Sequence, residues 1–138
     1  MIELIGHKTT AIFDIWSVVH FLTGCGLAYP MATLSQRFKL GEREKIALVL
    51  LISAIWELVE IYLELGTIGG EAVQFWFQGV EHPLNRIFGD QILLLLGYLL
   101  TRNSMRASLL AKTASGAWLL WHVFFLPHSM WVQDTLIQ

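Results

Sequence analysis

Charge is what this sequence has least of. Asp, Glu, Lys and Arg make up 14% of its 138 residues, while 55% are hydrophobic and mean hydropathy is +0.57. Ordinary soluble domains carry roughly 25% charged residues, so the deficit favours a lipid-embedded chain over a soluble core. A positive excess is missing too: nine Lys and Arg against eleven Asp and Glu leave a net charge of −2. That balance gives no electrostatic footprint for a nucleic-acid partner, which would need a basic face. The single cysteine, Cys25, can form no intrachain disulfide and, between Gly24 and Gly26, reads as a small packing residue. Neither an internal repeat nor a low-complexity tract is present, and one domain is expected over residues 1–138. A cleavable leader is not expected, because the first apolar run is long, holds Asp14 and His20, and leads into a basic loop.

What the chain has instead is long apolar runs. A helix needs about 20 apolar residues to cross a bilayer, and four segments meet that length: about 11–34, 45–65, 87–103 and 107–127. Between the second and third, Gly66, Gly69 and Gly70 precede Phe75, Trp76 and Phe77, a pattern for a segment lying in the interface or folding back as a lid. The expected fold class is therefore all-α integral membrane: an antiparallel four-helix transmembrane bundle with an interfacial or re-entrant segment between helices 2 and 3. Arg37, Lys39, Arg43, Lys45, Arg102, Arg106 and Lys112 fall at one side of these spans, with only Lys8 and Arg86 at the other. The positive-inside rule then puts both termini outside the cytoplasm, in what reads as a bacterial inner membrane.

Ionisable residues interrupt these runs where charge is costly. His20 lies in the first, Glu57 and Glu60 in the second, Asp90 opens the third and His122 sits in the fourth. A rise of 1.5 Å per residue puts His20 and Glu57 about 3 Å outward of their span midpoints, and Glu60, Asp90 and His122 roughly 7–8 Å. Asp14 and Glu64 fall roughly 12–13 Å outward, near the interface. Ser53, Glu57, Glu60 and Glu64 follow the i, i+4, i+7, i+11 spacing of one helical face. Ser17, His20 and Gly24 share a stripe, as do Asp90 with Gly97, and Ser108 and Ser115 with His122. Four such stripes predict a hydrophilic interior.

His20, Glu57, Glu60 and Asp90 are the candidate catalytic and metal-ligating residues. One imidazole with carboxylates suits a divalent metal such as zinc, iron or manganese. Carboxyls with raised pKa would instead serve as general acid and base with His20. The blander alternative is polar glue between helices. Asp14, Ser17, Ser53, Asn85 and His122 are expected to line the site. His122 beside Trp121, Phe124 and Phe125 also reads as an interfacial histidine. A haem held by His20 and His122 is disfavoured, since carboxylates would intrude on an apolar porphyrin pocket.

His20-Phe21-Leu22-Thr23-Gly24, Trp56-Glu57-Leu58-Val59-Glu60, and Asn85 with Asp90 and Gly97 resemble small bacterial membrane proteins of the VanZ-like and YjdF-like group. The resemblance covers roughly residues 14–100. The chain departs from the VanZ-like pattern in carrying Glu57-x-x-Glu60 rather than Glu-x-x-Gln and in placing Asn85 before Asp90. The YjdF-like acidic run before the third span is also lacking. The resemblance implies a cell-envelope role and points to His20, Glu57, Glu60, Asn85 and Asp90. Three functions remain open at this stage. The first is an outward-facing site for an ion, a metal or a lipid-linked envelope component, with acid–base chemistry. The second is an accessory or structural subunit, as a homo-oligomer or within a larger membrane complex. The third is a proton- or cation-coupled transporter, against which the absence of a broken-helix pair counts.

Overall fold

In the computed structural model, residues 2–77 and 79–125 are described. His128, Trp131 and the expected end of the fourth span lie outside them. Two three-residue strands, β1 (Glu3–Ile5) and β2 (Ala11–Phe13), pair in parallel with Glu3 opposite Ala11 and Ile5 opposite Phe13. Five α-helices follow: α1 (Ser17–Phe38), α2 (Glu42–Glu64), α3 (Gly70–Phe77), α4 (Asp90–Thr101) and α5 (Met105–Phe124). A π-helical turn, Asn85–Gly89, runs directly into α4.

This architecture corrects the four-helix transmembrane bundle. Among the described residues only α2 is long and apolar enough to cross a membrane. The reasons lie in the other helices. At 12 residues, α4 reaches about 18 Å, well short of a bilayer core near 30 Å. In α1, polar residues and Pro30 lower the apolar content, and α5 carries Arg106, Lys112 and His122. The segment expected between the second and third spans contains a helix of its own, α3. Glycines with positive φ bound it: Gly66 and Gly69 before it, Gly70 at its first position and Gly79 after it.

The first helix starts later than its apolar run. Residues 11–13 are taken by β2, and the Asp14 carboxylate then accepts the N–H groups of Trp16 (2.7 Å) and Ser17 (3.0 Å). An Asp that satisfies the free N–H groups at a helix start sets the boundary there.

Helix α1 is the axis, packed mainly on α4 and α5 and only slightly on α2. Small residues permit the α1–α4 approach. A Cβ at Gly24 would strike the Leu94 carbonyl, and one at Gly97 would strike the Phe21 carbonyl. On the α5 side, Pro30 inside α1 has no N–H to offer the Gly26 carbonyl four residues earlier. The Ser108 hydroxyl donates to that carbonyl instead, at 3.0 Å, and accepts the Tyr29 N–H at 2.9 Å.

Two interiors result. Ala28, Met31, Val49, Leu94 and Tyr98 form an apolar core toward the α1–α2 turn. Toward the other end the interior is polar.

Candidate functional site

The polar interior is built from α1, α2, the loop before the π-helical turn, and the start of α4. In α1, Ser17 and His20 lie on the face turned to α4, two turns and one turn from the glycine, Gly24, that lets the helices meet. In α2, Ser53, Glu57 and Glu64 are buried and Glu60 is partly buried, so the expected acidic face does point inward. The π-helical turn sets the entry to α4 and leaves Asn85, Arg86 and Asp90 all buried. Such turns insert an extra residue per turn and recur at functional sites.

His20 stands between two carboxylates. Its Nδ1 is 3.5 Å from Glu57 Oε1 and its Nε2 is 3.7 Å from Asp90 Oδ2. Both spacings exceed those of a good hydrogen bond. One ligand atom from each of His20, Glu57 and Asp90 falls within 4.8 Å of the others. Ser17 steadies Asp90 from the far side, its hydroxyl 3.4 Å from Oδ1.

Beside this triad is an ion-pair network that sequence reasoning missed. Arg86 reaches Glu57 Oε2 at 3.3 Å, Glu64 Oε2 at 2.9 Å and Glu81 Oε2 at 3.0 Å. Lys8 is buried against Glu64 Oε1 at 2.9 Å and lies 5.1 Å from the Phe77 ring centroid. The Glu81 N–H donates to Glu64 Oε2 at 3.1 Å, and the His82 N–H to the Lys8 carbonyl at 2.8 Å. Lys8 and Arg86 are thus internal counter-ions rather than loop charges, which removes them from the count used for topology. The available signal was charge balance: an inward stripe of three glutamates requires buried cations nearby.

The balance is still incomplete. Asp14, Glu57, Glu60, Glu64, Glu81 and Asp90 supply six carboxyls against two permanent cations, Lys8 and Arg86. Burial, then the Glu60 carboxylate, pushes the Glu81 carboxyl up to about 8, with Asp14 adding to the rise. Burial likewise raises Asp14, against hydrogen bonds that lower it. The Glu81 and Asp90 carboxyls lie close enough to share a proton. Protons, a bound cation, or both must offset the remaining negative charge.

The other expected lining residues fall in different places. Ser53 is buried with no hydrogen bond to its hydroxyl, and Asn85 is fully buried with neither side-chain polar atom bonded among the described residues. His122 does not join the triad. Its ring sits 5.0 Å from Trp16 and 4.7 Å from Trp118, and Nδ1 is 3.0 Å from the Trp118 carbonyl.

A cavity of about 460 Å³ adjoins the triad, walled by α1, α2, α3, α5 and Leu94 of α4. His20 lies at its boundary, and Trp76 and Phe77 of α3 cover one end, with Trp76 packed 5.5 Å from Trp16.

Compared with protein-family models, curated proteins and solved structures, the chain gives no match. The site must be interpreted from its own chemistry.

Proposed function

We propose that this chain is a membrane-inserted helical protein that holds a divalent cation at His20, Glu57 and Asp90. The observation that carries the reading is the convergence of one imidazole and two carboxylates, from three helices, within 4.8 Å. Mixed nitrogen and oxygen ligands of this kind suit zinc, manganese or iron, and three protein ligands leave a position for water or substrate. A divalent ion also offsets the excess of buried carboxylate. Membrane insertion is supported by the exterior of α2, where Leu51, Ile55, Leu58, Val59 and Tyr62 face outward while Glu57, Glu60 and Glu64 face in. Exposed apolar surface of that extent marks an interaction with lipid or with a partner.

A second reading rests on the same histidine. Both of its nitrogens face carboxylates, so His20 could pass a proton between Glu57 and Asp90 in acid–base chemistry.

The deciding experiment is elemental analysis of protein purified in mild detergent, stripped with chelator and reloaded with Zn²⁺ or Mn²⁺. Wild type is expected to retain a single ion per chain. Glu57→Gln and Asp90→Asn should lose it at unchanged helical dichroism. Wild-type protein that retains no ion after reloading would overturn the cation reading.

A further inference from the structure

The cavity beside the triad is graded along its length. At one end are Trp16, Trp56, Trp76 and Phe77 with the carboxylate of Glu60; at the other are Leu27, Ile52 and Leu94. From Trp16 to Leu27 along α1 is about 16 Å at helical rise. Thr23, Ser53 and Ser115 line the middle, and the Thr23 and Ser115 hydroxyls are 3.0 Å apart. Three polar atoms of residues lining this space have no hydrogen bond among the described residues: Glu60 Oε2, Ser53 Oγ and Trp76 Nε1. Ser53 is only 1% exposed, so its hydroxyl is packed beneath the cavity wall.

Its volume falls in the range of small-molecule sites, which are mostly apolar with a few placed polar groups. The polar end selects the sign of the ligand. Glu60 brings a carboxylate to the cavity wall, and the interior it belongs to carries six carboxyls against Lys8 and Arg86. An anionic head group would meet repulsion there. A cation meets the carboxylate and the faces of indole rings, which attract ammonium groups through their quadrupoles.

We infer that this cavity binds a single-chain amphiphile with an ammonium head group. The head lies against Glu60, Trp56 and Trp76, and the chain runs toward Leu27 and Ile52. Helix α3 covers the head-group end. Primary and quaternary ammonium share this chemistry. The site borders the proposed cation centre at His20 but needs no metal.

The test uses chelator-stripped protein in a maltoside detergent, titrated with dodecyltrimethylammonium, dodecylamine or dodecyl sulfate, and read by tryptophan fluorescence. Saturable quenching by either ammonium compound, at affinity at least about tenfold above the sulfate, is the expected result. Glu60→Gln should lower that affinity by about tenfold. Ile52→Trp, which fills the chain end and leaves the acidic groups intact, should abolish saturable binding of both. Equal binding of the sulfate, or unchanged affinity in both variants, would overturn the proposal, as would absence of saturation. Because the protein is metal-free, none of these outcomes depends on the cation centre.

Discussion

The imidazole of His20 and the carboxylate of Asp90 face each other across the α1–α4 seam, Nε2 to Oδ2 at 3.7 Å. The seam is narrow because Gly24 and Gly97 let the two backbones touch, and Ser17 steadies Asp90 from α1. Helix packing therefore sets the spacing of the groups proposed to hold a cation.

If Asp90 is a ligand, its hydroxyl partner matters without touching the ion. Ser17→Ala is expected to weaken Zn²⁺ or Mn²⁺ affinity by roughly 10–100-fold, the usual cost of losing an outer-shell partner. Glu57→Gln should weaken it at least as much. Isothermal titration of stripped protein measures both, and unchanged affinity in both variants would contradict the assignment.

Gly97→Ala pushes a methyl group into the Phe21 carbonyl and forces α1 away from α4. Overpacking of this kind costs about 1–3 kcal/mol. The expected result is a lower thermal midpoint together with weaker cation binding, since His20 and Asp90 move apart. Loss of stability with full cation affinity would show that the seam does not govern the site.

Arg86 bridges Glu57, Glu64 and Glu81. Arg86→Met strands three buried carboxyls, and breaking a buried pair costs about 3–5 kcal/mol. Arg86→Lys should recover little, because a point ammonium cannot reproduce the planar fork. Denaturation in detergent at neutral pH compares the three proteins.

Ser108 and Pro30 should be thermodynamically coupled. Ser108→Ala leaves the Gly26 carbonyl unsatisfied, at about 1–3 kcal/mol. Pro30→Ala restores an N–H four residues after Gly26 and should offset part of that loss. A double-mutant cycle on unfolding free energy is expected to show non-additivity between them; strict additivity would contradict the relationship.

The contribution of Glu81 to stability should fall as pH rises between about 4.5 and 8. The Glu81 carboxyl, facing Arg86, Glu60, Asp14 and Asp90, is pushed up to about 8 in the folded chain from an ordinary 4.5. Across that window the folded state keeps a proton that the unfolded chain has released, so the slope is negative; it flattens below 4.5 and above 8. Glu81→Gln should remove much of the slope in melting curves recorded from pH 5 to 8.

Local spacing carried much of this site. The i, i+4, i+7, i+11 stripe of Ser53, Glu57, Glu60 and Glu64 is a property of α2 alone, and the structure turns it inward. The Ser17, His20 and Gly24 stripe, and Asp90 with Gly97, were legible for the same reason. Lys8, Glu81 and Arg86 were not, because they lie in or beside loops where no periodicity reports a facing direction. The four-span architecture failed where hydropathy was read without length: α4 is short, and an apolar run beginning at residue 11 was divided between a strand and a helix.

The order of residues along the chain determined which helical faces are polar and that buried carboxylates needed neutralising partners, since both follow from period and composition. Tertiary structure alone decided which partners those are. Arg86 lies 29 residues from Glu57, and Lys8 lies 56 from Glu64. Contacts at such separations arise from packing of α1 against α4 and closure of the Glu81 loop over α2, which no local pattern encodes.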